Sequence, residues 1–169
     1  MSPKDRLPEH NKETFRNAGV VIAMVVTTFL ILSVMGVIHF RTPDFEGIRE
    51  SVTESQDPAV MTEADELALR KNYGLNVRDI QNFVYYAPKS SMDASEILVV
   101  ETNSQAEAEA LEARVEARRT TNEATFRNYR PEQAEILERS YLKTKGNFLI
   151  FISAENVNEI RDTVERAFR

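Results

Sequence analysis

An unbroken apolar run, residues 18–40, separates a short polar stretch from a longer region in which apolar positions recur at helix and strand spacings. At 1.5 Å per residue, a helix over this run is about 34 Å long, enough to cross a hydrocarbon core of roughly 30 Å. We therefore expect a transmembrane helix at 18–40, preceded by a disordered tail at 1–17. A buried helix of a globular core is the less favoured alternative, because such helices rarely lack a polar face over this length.

Basic residues flank the apolar run unequally. Those before it are Lys4, Arg6, Lys12 and Arg16, and those within a similar length after it are Arg41 and Arg49. The positive-inside rule then places the N-terminus in the cytoplasm and the C-terminal part outside the cell membrane. A cleaved signal peptide is the alternative, but its apolar region spans only about 7–15 residues and ends at a small-residue cleavage site. We expect an uncleaved, single-pass signal anchor.

Helix signals follow the apolar run in a regular order. A short helix begins at Thr42-Pro43, and a second has Thr62 as its N-cap and Gly74 just past its end. Ser104 and Glu107 form a capping box that opens a long helix, which ends before Pro131 and is followed by a shorter one. A final helix carries a regular apolar stripe formed by Val157, Ile160, Val164 and Phe168.

Four strand-like runs lie among these helices, at 83–86, 97–100, 141–145 and 148–152. The last two flank Gly146-Asn147, a two-residue hairpin turn. The order strand, strand, helix occurs twice, which predicts an α+β fold with a four-stranded, mainly antiparallel sheet and helices packed on one face. The continuously apolar runs 97–100 and 148–152 are expected at its centre, and the tyrosine-bearing runs at its edges. We assign 41–60 to a juxtamembrane helix and linker, and 61–169 to the folded domain, so that two short helices precede the sheet.

Composition excludes several kinds of function. The chain has a formal net charge of −6, and an acidic domain gains little from counterion release, which argues against nucleic acid as a partner. It has no cysteine, so a disulfide framework, a thiolate metal site and a cysteine nucleophile are excluded. Its two histidines, His10 and His39, lie in the tail and in the apolar run. We therefore expect no catalytic residue, no metal and no cofactor in the C-terminal domain.

An arginine cluster in the second half of the long helix is the first candidate site. Its members are Arg114, Arg118, Arg119, Arg127 and Arg130. Guanidinium groups bind carboxylates and phosphates in a bidentate manner, so this face is suited to an anionic polymer or a lipid headgroup. The alternative is a solvated face on which the arginines pair with Glu112, Glu116 and Glu123.

A second candidate is a loop expected to contact a partner, with an exposed aromatic surface. Its residues are Tyr85, Tyr86, Pro88 and Met92. Core packing is the alternative for at least one of the tyrosines. An exposed edge strand would also permit a partner protein to add a strand, as in any open four-stranded sheet.

Several sequence motifs together resemble a bacterial domain family of unknown function, number 4358 among such families. They are Tyr73-Gly74-Leu75, Phe83-Val84-Tyr85-Tyr86-Ala87-Pro88, Glu96-Ile97-Leu98-Val99-Val100, Phe126-x-x-Tyr129-x-Pro131-Glu132-Gln133 and Lys145-Gly146-Asn147-Phe148. The resemblance covers roughly residues 42–169 and implies a membrane- or lipid-anchored extracytoplasmic domain. It carries no catalytic residue across. It also implies a link to O-acylation of envelope polymers, since genes of the family can lie near membrane-bound O-acyltransferases.

These observations lead to one expected function and one alternative. We expect a non-catalytic accessory domain that binds an envelope protein, with the oligomeric state left open. The alternative is a ligand-binding or sensory domain for an anionic envelope glycopolymer or lipid headgroup, centred on the arginines. An unrecognised enzyme is the third and least favoured hypothesis.

Overall fold

A computed structural model describes residues 20–28 and 43–169. The chain divides into two compact units, Met1–Arg41 and Thr42–Arg169. Of the first unit, residues 20–28 are described and form a helix. The predicted tail at 1–17, and most of the predicted transmembrane helix at 18–40, lie outside the described residues. Within the two described ranges, no helix is both long enough and apolar enough to cross a membrane.

The second unit contains five α-helices and five β-strands among its described residues. The helices are α1 (Phe45–Ser55), α2 (Glu66–Tyr73), α3 (Gln105–Arg127), α4 (Pro131–Glu138) and α5 (Val157–Ala167). The strands are β1 (Met61–Glu63), β2 (Ile80–Pro88), β3 (Glu96–Thr102), β4 (Tyr141–Lys145) and β5 (Phe148–Ser153). A short 3-10 turn, Val77–Asp79, leads into β2. The α+β class is therefore confirmed.

The strands form one antiparallel sheet in the order β1-β2-β3-β5-β4. The sheet has five strands rather than the predicted four, because Met61–Glu63 pairs with the end of β2. This strand is too short to show a hydrophobic period. The prediction that the runs 97–100 and 148–152 lie inside the sheet is confirmed, since β3 and β5 pair with each other. Of the two tyrosine-bearing strands, β4 lies at an edge, whereas β2 is covered by β1.

Helices cover both faces of the sheet, so the prediction of helices on one face is wrong. On one face α1 and α5 bury Ile48, Val52, Ile160 and Val164 against the sheet. On the other face α2, α3 and α4 bury a second core. Its helix residues are Leu69, Tyr73, Leu111, Val115, Phe126, Ala134 and Leu137. The helices that follow β3 and β5 therefore pack on opposite faces of the sheet, α3 in one core and α5 in the other.

The helix ends show which local signals determined the structure. Ser104 caps α3 and accepts a hydrogen bond from the backbone N–H of Glu107, and Gly74 ends α2 in the left-handed region at φ 66°, both as predicted. The start of α2 differs, because Asp65 caps it and accepts from Ala68 N at 2.9 Å. Thr62, the predicted cap, lies in β1 instead.

The first helix is part of the folded unit. It begins at Phe45 with Asp44 as its N-cap, two residues later than the start predicted at Thr42-Pro43. Phe45, Ile48 and Val52 are buried in the core formed with α5. The predicted boundary at residue 61, between a juxtamembrane helix with its linker and the folded domain, therefore falls inside the compact unit Thr42–Arg169.

Candidate functional site

Arg119 joins two helices and is not available as a surface anion site. Its guanidinium lies 2.6 Å from Oε1 of Glu116 and 3.2 Å from Oε2 of Glu123, both on α3. It also donates a hydrogen bond of 3.1 Å to the backbone carbonyl of Leu137 in α4. The hydrogen bond from Arg119 lowers the pKa of Glu116, in spite of some burial. Two carboxylates and one carbonyl therefore occupy this arginine.

Two further arginines make local pairs at the surface. Arg127 pairs with Glu123, and the Nε of Arg130 lies 2.7 Å from Oε1 of Glu132. The hydrogen bond from Arg130 lowers the pKa of Glu132. Ion pairs at the surface contribute little to stability, because solvent and salt screen the attraction. They also neutralise much of the charge that an anionic ligand would require.

Arg118 points into the protein, where it meets the buried carboxylate of Glu96. Its Nη1 lies 2.5 Å from Oε1 of Glu96, whose side chain is only 3% exposed. The other carboxylate oxygen accepts hydrogen bonds from the hydroxyls of Tyr73 at 2.9 Å and Tyr85 at 3.1 Å. The guanidinium carbon also lies 4.6 Å from the centre of the Tyr73 ring. We call these four side chains the Glu96 cluster; it ties α2, β2, β3 and α3 together.

Burial and charge set the protonation of the Glu96 cluster. Burial raises the pKa of both Tyr73 and Tyr85, and the nearby Glu96 carboxylate raises them further. Burial opposes the charge on Arg118, but the attraction to Glu96 outweighs it and the pKa of the guanidinium is raised. Both phenols therefore stay protonated and donate to Glu96, so the carboxylate has partners on both oxygens.

Arg114 differs from the other four predicted arginines. It is exposed, and among the described residues it makes no ion pair with a carboxylate. With Arg78 it lines an open groove of about 460 Å³ between the 3-10 turn and the start of α3. Asp79 and Glu107 line the same groove, so its formal charge is balanced. The structure therefore does not bring the five arginines together as one surface.

The predicted aromatic loop is not an exposed aromatic surface. Tyr85 and Tyr86 lie within β2 and are buried in the cores on opposite faces of the sheet. The hydroxyl of Tyr86 is 3.1 Å from Oγ1 of Thr53 in α1. Pro88, the last residue of β2, is half-buried, and Met92 is 44% exposed in the following turn. Core packing therefore accounts for both tyrosines.

The outer edge of β4 is a feature that the sequence analysis did not single out by residue. The register pairs Lys145 with Phe148 across the two-residue turn, and Lys143 with Ile150. In an antiparallel pair, hydrogen-bonded and non-hydrogen-bonded positions alternate, and the residues flanking a two-residue turn are hydrogen-bonded. Leu142 and Thr144 therefore direct their backbone N–H and C=O groups away from β5, on the side where no other strand of the described residues pairs with β4.

Basic side chains surround this edge on the face that carries α5. Lys143 is exposed and makes no ion pair within the described part of the chain. A shallow depression of about 540 Å³ lies beside it. Its lining residues are Tyr141, Lys143, Arg161, Asp162, Glu165, Arg166 and Arg169. In the sequence, this basic edge is indicated by lysines at the alternate positions 143 and 145, which point to the same face of a strand.

Glu165 organises the inner part of the depression. It accepts a hydrogen bond of 2.6 Å from the hydroxyl of Tyr141 and pairs with Lys145. Burial acts to raise the pKa of Glu165, but the hydrogen bonds from Lys145 and Tyr141 outweigh it and lower that pKa. Burial and the bond to Glu165 raise the pKa of the Tyr141 hydroxyl. Glu165 therefore remains charged and forms its ion pair with Lys145. Lys143 stays exposed at the edge.

Metal-ligating side chains do not converge in the part of the chain that the structure describes. No group of three or more histidine, cysteine, aspartate or glutamate side chains there is arranged to hold an ion. The buried carboxylate of Glu96 is surrounded by one arginine and two phenols, which are hydrogen-bond donors and not co-ligands.

Comparison with family models identifies the fold unit. The family described as "Domain of unknown function (DUF4358)" matches residues 54–154, more than half of the chain. This chain belongs to the DUF4358 family. The match spans all five strands and α2 to α4, so the DUF4358 range includes the β4 edge, whereas α5 with Arg161 and Arg166 follows it. No curated protein and no solved structure matches the chain.

Proposed function

We propose that this chain is a single-pass, membrane-anchored domain that binds a protein partner outside the cytoplasmic membrane of a bacterium, with no catalytic step of its own. The open edge of β4 supports this proposal most directly. Its outward backbone groups at Leu142 and Thr144 are donors and acceptors that a partner strand can satisfy, which is a common mode of protein recognition.

The buried and half-buried carboxylates make contacts within the fold, which supports a binding role rather than a catalytic one. A catalytic carboxylate needs access to substrate, and a pKa near the working pH. Glu96 is buried with both oxygens occupied, and Glu165 holds Lys145 and Tyr141. These contacts join helices and strands to one another, so both carboxylates serve the fold that carries the β4 edge.

The first experiment is crosslinking in native membranes with the tagged full-length chain, followed by mass spectrometry. The proposal expects one envelope protein recovered in near-stoichiometric amount. Recovery of the chain alone, in membranes where the crosslinker reacts with known complexes, would overturn it. A matched chain carrying Arg127→Glu, a change far from the β4 edge, should recover the same partner.

The membrane orientation has a test that uses the absence of cysteine. We compare a Met92→Cys variant, at an exposed turn, with a Ser2→Cys variant near the N-terminus. A membrane-impermeant maleimide should label the first in intact cells and the second only after lysis. Labelling of both variants, or of neither, in intact cells would contradict the proposed orientation. The unsubstituted chain provides a background without any thiol.

A second candidate function is binding of an anionic glycopolymer or lipid headgroup, including a role in envelope polymer O-acylation. The observation that favours it is that Arg78 and Arg114 line one groove and make no ion pair among the described residues. Reversing both charges, in Arg78→Glu with Arg114→Glu, should then abolish retention on an anionic glycopolymer. Arg127→Glu with Arg139→Glu, which changes the net charge by the same amount at other exposed positions, is the matched control. Equal retention of the Arg78 and Arg114 double variant would exclude this function.

A further inference from the structure

We infer that the partner presents an acidic extended segment, which adds to the sheet as a sixth strand beside β4. This inference rests on the proposed binding function and specifies its site and its occupant. The segment carries Asp or Glu at alternate positions, on the face shared with α5. Three observations lead to it: the geometry of the edge, the comparison with the opposite edge, and the distribution of charge.

The edge strand β4 is longer than the edge strand on the opposite side of the sheet. β4 spans Tyr141–Lys145, and its outward groups at Leu142 and Thr144 make no hydrogen bond to other described residues. The opposite edge is β1, which has only three residues. Very short edge strands are one of the ways in which proteins prevent strand addition. Strand addition is therefore favoured at β4.

The two faces beside β4 differ in chemistry. On the α5 face Lys143 is exposed, with Arg161 and Arg166 in the adjoining depression. On the other face Leu142 packs against the core and the Thr144 hydroxyl donates a 3.0 Å hydrogen bond to Glu112. An added strand points successive side chains to opposite faces. Carboxylates at alternate positions would therefore lie beside the basic groups, with neutral residues between them.

The local charge contrasts with that of the whole chain. Four cationic and two anionic side chains line the depression, whereas the chain has a formal net charge of −6. Within the depression Asp162 pairs with Arg161, and Glu165 pairs with Lys145 from the strand. Lys143 and Arg166 make no ion pair in the described part of the chain, although the charge of Lys143 helps to lower the pKa of Glu165. Carboxylates on an incoming strand complement these two cations.

A second copy of the chain fits this edge less well. Antiparallel pairing of β4 with β4 would use all the outward groups when Leu142 of one copy is opposite Thr144 of the other. That register places Lys143 directly opposite Lys143. Like charges at directly opposed positions are destabilising, and edge lysines are a known device against self-pairing. The positive charge of Lys143 therefore favours pairing of β4 with an acidic segment and disfavours pairing with a second copy of the chain.

The probe is a synthetic peptide of about seven residues in which Glu and Thr alternate, a length that covers β4 with a short overhang. It is titrated into the full-length chain in detergent, and amide hydrogen exchange is followed by NMR. We expect slower exchange at the N–H groups of Leu142 and Thr144, because they become hydrogen-bonded. A matched peptide of alternating Lys and Thr should give no protection. Equal protection by both peptides, or none by either, would overturn the inference.

Two variants separate backbone pairing from charge. Thr144→Pro removes an outward N–H and leaves the β4–β5 hydrogen bonds in place, since proline is tolerated at such edge positions. It should abolish peptide binding, whereas Thr144→Val, which loses only the hydroxyl contact, should retain it. Lys143→Glu should weaken binding of the Glu peptide about threefold to tenfold and allow the Lys peptide to bind. The Lys143→Glu variant keeps the test decisive if Thr144→Pro fails to fold.

The same variants distinguish failure of this inference from failure of the binding function. Thr144→Pro and Lys143→Glu are introduced into the tagged full-length chain and crosslinked in native membranes. Loss of the envelope partner from both, with retention in Thr144→Val, supports the β4 edge as its site. Undiminished recovery of the partner with both variants would overturn the edge and leave the binding function standing.

Discussion

The carboxylate of Glu96, the first residue of β3, lies 2.5 Å from the guanidinium of Arg118 in α3. The pair fixes the longest helix of the domain to its central strand, and Tyr73 and Tyr85 complete the hydrogen bonds of the carboxylate. Because the two charges are largely removed from solvent, each one destabilises the fold if its partner is missing. The stability of variants that lack one or both charges tests this coupling.

Removing the cation alone should be costly. Arg118→Met leaves the Glu96 carboxylate buried without its counter-charge, and we expect the free energy of unfolding to fall by about 3–5 kcal/mol. Urea denaturation of the compact unit, residues 42–169, measures it. Adding Glu96→Gln to this variant should restore part of the stability, although Glu96→Gln alone is destabilising. Additive losses in the double variant would contradict this coupling. Arg127→Met removes a cation that is 64% exposed and leaves Glu123 paired with Arg119, so it should change stability by no more than about 0.5 kcal/mol.

Alkaline pH should destabilise the domain through its buried phenols. The folded state raises the pKa of Tyr73 and Tyr85, so their contribution to stability is complete below about pH 10, the value for an unfolded tyrosine. Above that pH it is lost progressively, by about 1.4 kcal/mol per pH unit for each tyrosine. Urea unfolding at a series of pH values measures this slope. Tyr85→Phe should make the slope shallower, and Leu67→Ala, which removes no ionisable group, should not.

Both faces of the sheet should contribute to a single cooperative fold. Ile160 of α5 and Leu111 of α3 are each about 1% exposed, in the cores on opposite faces. Ile160→Ala and Leu111→Ala should each cost about 2–5 kcal/mol, and each variant should unfold in one transition. Circular dichroism and tyrosine fluorescence followed together during denaturation provide the check. Leu67→Ala, at an exposed position of α2, is the control, and separate transitions by the two probes would count against one cooperative unit.

The start of α2 should depend on Asp65. Its carboxylate accepts a hydrogen bond of 2.9 Å from the N–H of Ala68, so Asp65→Ala should reduce stability by about 0.5–2 kcal/mol. Thr62, which local sequence also favours as a cap, is exposed in β1 and should tolerate alanine within about 0.5 kcal/mol. The two variants are compared by thermal unfolding. A larger loss from Thr62→Ala would mean that the helix begins earlier than the structure places it.

Local signals were sufficient wherever a few adjacent residues determine the backbone. Ser104 with Glu107 marked the start of α3, Gly146 marked the β4–β5 turn through its positive φ, and the stripe Val157, Ile160 and Val164 marked the buried side of α5. Each of these features depends on contacts within about four residues in the sequence. Such signals require no knowledge of the tertiary fold.

The features that were wrong depend on contacts between distant segments. The strand at Met61–Glu63 exists because it pairs with the end of β2, and that pairing takes Thr62 away from the helix. Continuously apolar strands such as β3 are buried on both faces, which calls for helices on both sides of the sheet. Local pattern alone did not assign α3 and α5 to opposite faces.

The candidate site was the least predictable part, because the sequence shows charges but not their partners. Arg118 and Arg119 look alike in the sequence, yet one pairs with Glu96 in the sheet and the other with Glu116 and Glu123 on its own helix. The partners of Glu96 come from three separate elements. At the β4 edge, the sequence predicts the edge position and shows both lysines, but it does not show that Glu165 of α5 pairs with Lys145 and leaves Lys143 exposed.

The strand order also bears on how the chain folds as it leaves the ribosome. The hairpin β2–β3 can form early, but the apolar strand β3 pairs on its other side with β5, which is made some fifty residues later. Until then β3 has an unpaired apolar edge, a known risk for aggregation. A chain truncated before Phe148 would retain that edge permanently. Nascent chains of this protein therefore need protection from aggregation through most of synthesis, until the β4–β5 hairpin forms and β5 pairs with β3.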